Sequence, residues 1–287
     1  SPEEIQKTID RINYHREQAF RHLVKKGLLE EEVIKAEVDP ATTDACNKHA
    51  AYLLINYKLT GRNFDFSTAH TEEDSLLGYT QEGKEVARRA VPVTTLKPRE
   101  SIEPIMATLF HRIGYVDPRV KSYGIGYAEG RGHKVSAIGY CSDLRRMSVP
   151  LILSPAPNQK DVLMRFAERG EDPNPIPTED KDQKAGYPIL MVSHDFHDIK
   201  NAKANLKDRK GREVECWFSS PEQPASSLIP GNYYSIALIP KDPLKPGETY
   251  AVSMSANLTD YFDKTKKTDW KETWSFKTIS EKDAKEK

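Results

Sequence analysis

The sequence predicts an α+β protein, a helical layer built onto a small antiparallel sheet and followed by an all-β sandwich. Three observations carry this. Apolar residues recur at helical spacing through the first third of the chain, a glycine-punctuated hairpin pattern occupies residues 122–140, and short β-prone runs without intervening helices fill residues 187–278.

Ile5, Ile9, Ile12, Ala19 and Leu23 form an apolar stripe, which predicts a helix over about residues 3–25. Asp39-Pro40 supplies an N-cap and a first-turn proline for a second helix, with Ala45, Cys46, His49, Ala50, Leu53, Leu54 and Tyr57 on its buried face and an end near Gly61. Thr80 is expected to cap a third helix over residues 81–90. Ser101 is expected to cap a fourth, in which Pro104 falls in the first turn and His111 near the end. Residues 122–128 and 134–140 then alternate around Glu129-Gly130-Arg131-Gly132, a hairpin with a glycine-rich turn. Six prolines between residues 150 and 177 mark a connector over 148–185, with local order expected only at 161–167. Beyond it, strands are expected at 187–193, 202–206, 214–218, 234–239, 250–256 and 273–278, ahead of a loose charged tail over 280–287.

Composition narrows the function. In 287 residues Lys+Arg and Asp+Glu are both 43, so no net field gathers nucleic acid, and any electrostatic recognition is local. The longest apolar stretch, residues 50–55, falls far short of the roughly 20 residues of a membrane helix. The opening Ser-Pro-Glu-Glu lacks the basic and apolar regions of a signal peptide, a start that a processed secreted chain would share. Cys46, Cys141 and Cys216 show no Cys-x-x-Cys spacing, and buried free thiols are the simplest reading.

The candidate chemistry lies in His70 with Glu72 and Glu73, in Glu100, and in His111. Imidazoles and carboxylates from three segments can bind a divalent metal or transfer protons. No His-Glu-x-x-His, Gly-x-Ser-x-Gly or P-loop pattern occurs, and Gly124-Ile-Gly126 is too short for a dinucleotide fingerprint. Competing structural readings accompany each residue: a solvated turn for His70, Glu72 and Glu73, a surface charge beside Arg99 for Glu100, and a helix C-terminal cation for His111. His15 and His22 read as surface residues and His49 as a core histidine. His194 and His197 are an i,i+3 pair at a strand end.

The order of these motifs resembles the CAP superfamily (cysteine-rich secretory, antigen 5 and PR-1 proteins), in which an upstream histidine, a Glu-Asn-Ile-like turn, a helix ending in His-Arg and a Gly-x-Gly strand succeed one another. His70, Glu100 in Glu-Ser-Ile and His111 before Arg112 occupy the matching positions. Ser101 replaces the family's asparagine, its tryptophan is missing, and its further glutamate falls near Ala107, leaving Glu72, Glu73 or Glu103 as substitutes. The resemblance implies an α-β-α sandwich over 1–147. Residues 186–279 resemble bacterial Ig-like domains in their Pro-Gly turn before Tyr250 and their Trp274-Ser-Phe276 ending.

It further implies a secreted or envelope-associated bacterial-type protein that binds a small molecule, a lipid or an envelope or protein ligand. A His70/Glu100/His111 cleft would serve, with His70 and His111 as ligands to an ion such as zinc. The alternative is a metal-assisted, peptidase-like hydrolase using the same three residues as its catalytic set. A structural envelope protein is a third reading.

Overall fold

The computed structural model describes residues 1–167, 171–177, 184–195 and 197–285. It is a mixed helix-and-sheet structure. The chain separates into two compact units, one of Ser1–Glu17, Glu31–Ile105 and Pro118–Met147 and the other of Gln18–Glu30, Met106–Asp117 and Ser148–Lys287.

The first helix, α1, spans Pro2–Lys25. Asp39 caps the second, α2 (Pro40–Asn56), by accepting from the Thr42 N–H at 2.6 Å, and Pro40 sits where a missing donor costs nothing. A single 3₁₀ turn carries the chain from Lys58 to Gly61, whose φ of 75° ends it in the left-handed conformation. Asp65 and Thr68 form a capping box on the short α3 (Phe66–Ala69), which stops at His70. Thr80 caps α4 (Gln81–Ala87) through the Gly83 N–H.

Two helical expectations need correction. Ser101 lies inside α5 (Pro98–Met106), where it is fully buried and its hydroxyl donates to the Lys97 carbonyl one turn back, so it caps nothing. The helix also ends at Met106, and His111 instead opens a separate 3₁₀ segment, His111–Val116.

In the first unit β3 (Ser122–Gly130) and β4 (His133–Tyr140) form the expected hairpin. Arg131 and Gly132 both have positive φ, as a two-residue type I′ turn requires. Two strands that periodicity does not reveal complete the sheet: β1 (Glu37–Val38) runs parallel to β3, and β2 (Ala90–Thr94) pairs antiparallel with β4. The order is β1-β3-β4-β2. The proline in β2 suits an edge position. Helix α2 packs on β3 and β4, burying Cys46, Ala50, Leu53, Val135 and Ala137 together. A Cβ at Gly124 or Gly126 would come within 3.0 Å of the α2 backbone at Thr42 or Cys46, so the Gly-x-Gly spacing is what lets helix and strand touch.

The second unit holds two sheets around one core. One is ordered β5-β6-β9-β8, from β5 (Ile152–Ser154), β6 (Ile189–Val192), β8 (Cys216–Ser219) and β9 (Ser235–Pro240). The other is β11-β10-β7, from β7 (Asp198–Lys207), β10 (Thr249–Thr259) and β11 (Lys267–Lys277). Ile189, Met191 and Leu238 from the first sheet meet Val252, Met254, Trp274 and Phe276 from the second. The stretch read as a connector contributes β5, and the Pro155 carbonyl accepts from the Trp274 indole at 2.9 Å. The tail is not wholly loose either, since Ser280 precedes α6 (Glu281–Lys285) and accepts from the Asp283 N–H, while residues 286–287 lie outside the described residues.

His22 was expected at the surface, yet its imidazole is held down to about 4, first by burial and then by Lys26. The unfolded chain therefore takes up the proton first as pH falls below the ordinary 6.5, and stability is lost between there and about 4. Partial exposure limits the effect to about 2 kcal/mol. His22→Leu is expected to flatten the pH dependence of the urea midpoint across that window. An unchanged slope would mean that His22 does not control it.

Candidate functional site

The sequence-selected residues divide between the units. His70 and Glu100 belong to the first, and His111 to the second. His70 sits at the C-terminus of α3, where its Nδ1 donates to the Ala87 carbonyl at 3.0 Å and Phe66 packs edge-on at 5.5 Å. Glu100 lies in the first turn of α5 and accepts from the Lys97 N–H. With Glu129 and Glu4 it also raises the Tyr127 phenol, after burial and the Glu129 hydrogen bond.

Glu72 was expected to be solvated or to face His70. It is instead buried, with 1% exposure, and faces His49. The His49 Nδ1 lies 3.0 Å from Glu72 Oε1, its Nε2 lies 3.0 Å from the Ala69 carbonyl, and the other carboxylate oxygen accepts from the Thr80 N–H. Thus the core histidine is indeed buried, and an acid is buried with it. Glu73 is exposed, and its backbone is what is engaged: its N–H donates to the Tyr52 hydroxyl and its carbonyl accepts from the Leu76 N–H.

His15, expected at the surface, is also buried. It lies 3.2 Å from Glu103, which Arg11 meets from the other side. Glu103 is held well below the usual carboxylate range: its own burial opposes this, but His15 and Arg11 outweigh it. Glu103 therefore serves α1 rather than His70.

His111 has the most developed surroundings. Its Nδ1 donates to Glu171 Oε1 at 2.7 Å, and the same carboxylate accepts from the backbone N–H groups of Leu109, Phe110 and His111 at 2.7–2.8 Å. Glu171 thus caps the 3₁₀ segment and fixes the ring that begins it. Beside it the Tyr233 ring packs edge-to-face on Phe110, with centroids 5.8 Å apart. Partial burial and the Glu171 charge raise the Tyr233 phenol.

Tyr233 is placed by unusual backbone. Gly231, Asn232, Tyr233 and Tyr234 all have φ between 49° and 64°, one turn of left-handed chain. For residues with a Cβ this costs about 1–2 kcal/mol each. The buried Asn232 side chain offsets it by binding Ser219, Ser235 and the Ala225 N–H. Pro230-Gly231-Asn232 is the only trace of this turn in the sequence. Nothing in the sequence ties Glu171 to His111 across the intervening proline-rich stretch.

Other candidates separate. His194 lies 3.4 Å from Asp117, whereas His197 lies 2.7 Å from the Ser193 hydroxyl, so the i,i+3 pair does not converge, and Phe196 between them lies outside the described residues. Arg112 is fully buried, with its guanidinium over the Tyr187 ring at 4.6 Å and one N–H donating to the Pro188 carbonyl. The three cysteines are free, Cys46 being buried and Cys141 and Cys216 half-buried. Burial pushes the Cys46 and Cys216 thiols up to about 12, which leaves them unreactive. Among the described residues no group of three or more His, Cys, Asp or Glu side chains could hold a metal ion, and no helix is long and apolar enough to cross a membrane.

No family model matches the chain, and no curated protein matches it. Among solved structures it is similar to the crystal structure of CopC from Methylosinus trichosporium OB3b, with 10% identity and a TM-score of 0.27, covering 46% of this chain and 93% of that chain. A likeness at that level carries no argument.

Proposed function

We propose that the chain is a secreted or envelope-associated ligand-binding protein whose first unit is of the CAP type and whose second is Ig-like. Its ligand is a small molecule, a lipid or another envelope component, met at histidines that the protein holds in fixed orientation. The close seating of α2 on Gly124 and Gly126 supports the CAP reading, and the two sheets around one core support the Ig-like reading.

The observation that carries the proposal is the His111–Glu171 pair beside Tyr233. Four N–H groups occupy the Glu171 carboxylate, so this acid holds the geometry of the segment and the ring. A fixed imidazole next to a half-exposed tyrosine is suited to grip a ligand with both polar and apolar parts. The same pair favours a second reading, hydrolysis, because a carboxylate at Nδ1 orients an imidazole as a general base. In that reading His111 is the base, while His70 and Glu100, the further residues that the resemblance implies, belong to the first unit.

Zinc, the ion implied by the resemblance, meets no three-donor group among the described residues. It remains a useful probe of the imidazoles. Calorimetric titration with zinc chloride at pH 7 is expected to show saturable binding that His111→Ala abolishes and Glu171→Gln weakens about 10–100-fold. Binding unchanged in His111→Ala would remove that residue from the ligand site. Cleavage of a peptide library by the wild type, lost in His111→Ala, would establish the second reading instead.

A further inference from the structure

We propose that the β10–β11 hairpin docks the second unit on an anionic lipid surface. The hairpin turn projects Tyr261 and Phe262, 53% and 84% exposed, the latter the most exposed large apolar side chain among the described residues. The turn is built to hold them there. Asp260 accepts from the N–H groups of Phe262 and Asp263, Asp263 accepts from Thr265, and the two aromatic rings pack edge-on at 5.3 Å. Lys264, Lys266 and Lys267 follow immediately, with the Lys264 ammonium 4.8 Å from the centre of the Tyr261 ring.

The outer face of the adjoining sheet continues the charge. Strand alternation sends Val252, Met254 and Leu258 inward and leaves Ala251, Ser253, Ser255 and Asn257 outside as a low, polar middle strand. Register places Lys207, Lys203 and Lys200 opposite Ala251, Ser255 and Asn257 on one side, and Lys271 opposite Ser255 on the other, with Lys267 and Lys277 opposite Thr259 and Thr249 at the two ends. Two aspartates interrupt them: Asp198, paired with Lys200 at 3.7 Å, and Asp269, held by Asn257 at 2.6 Å. A chain with no net charge thus gathers six lysines against two acids on one sheet face.

Two features select a lipid surface over other polyanions. The cations are all lysines, point charges attracted to a diffuse anionic plane, whereas reading individual phosphates favours the planar fork of arginine. The aromatic pair sits exposed at the hairpin turn, and such rings settle at the headgroup level of a bilayer. Phe262 and Tyr261 would enter the interface while the lysines remain at the phosphates.

The test is co-sedimentation of the full chain with vesicles of phosphatidylcholine alone or with 30% phosphatidylglycerol. Binding is expected only to the anionic vesicles. It should fall at least tenfold in Tyr261→Ser/Phe262→Ser and in Lys203→Gln/Lys271→Gln, and weaken as salt rises from 0.05 to 0.5 M. Both double variants alter exposed side chains, and an unchanged circular dichroism melt would show that each still folds. No binding to anionic vesicles, binding unaffected by both variants, or tight binding to single-stranded DNA in place of vesicles would each overturn the proposal.

Discussion

Gly126→Ala is expected to destabilise the first unit by about 3 kcal/mol or more, a large loss for a single added methyl group. The new Cβ would lie within 3.0 Å of the backbone at Cys46 and Asn47, so no rotamer change relieves the clash. Either the whole of α2 must lift from β3, uncovering Cys46, Ala50 and Leu53, or the strand must buckle and break its pairing with β4. Gly132→Ala is the matched control: its Cβ meets nothing, and only the positive φ penalises it, by about 1 kcal/mol. Urea unfolding followed by far-UV circular dichroism compares the two. Equal costs would mean that helix and strand are not in the close contact described.

Glu72→Ala is expected to cost about 3–5 kcal/mol, because both partners of the His49–Glu72 pair are wholly buried and removing one strands the other. The Thr80 N–H, where α4 begins, also loses its acceptor. The double variant His49→Leu/Glu72→Leu should recover much of this loss, since two apolar groups leave no orphaned charge. A cost below about 1 kcal/mol for Glu72→Ala would mean that the pair is solvated or replaceable. The coupling measured between the two residues would then be near zero.

Local signals were legible where neighbours in sequence decide the outcome. Asp39 with Pro40, Thr80 and the Arg131-Gly132 turn act over a few residues, and each does what its chemistry suggests. The stripe on α1 and the alternation of β10 likewise report their own burial. Histidine partners were not legible. The acids that meet His15, His49 and His111 lie 88, 23 and 60 residues away, and no spacing rule links an imidazole to a carboxylate at such a distance. Glu72 illustrates the difficulty, since His-Thr-Glu-Glu reads as a solvated turn until the fold buries one of its acids and exposes the next. Strands β1, β2 and β5 escaped for a different reason, being two to five residues long and too short to show a period.

The capping of residues 111–116 by Glu171 bears on how this chain can be taken apart. Three backbone donors near residue 110 are satisfied by a carboxylate that the chain supplies only 60 residues later. A fragment stopping at residue 147 would carry the 3₁₀ segment without its acceptor, and one starting at residue 148 would carry the acceptor without its segment. During synthesis the first must likewise wait for the second to emerge. The two units alternate along the sequence, so neither corresponds to one uninterrupted length of gene, and a shuffling event that cuts between residues 147 and 148 would keep every segment of the first unit together while splitting the second.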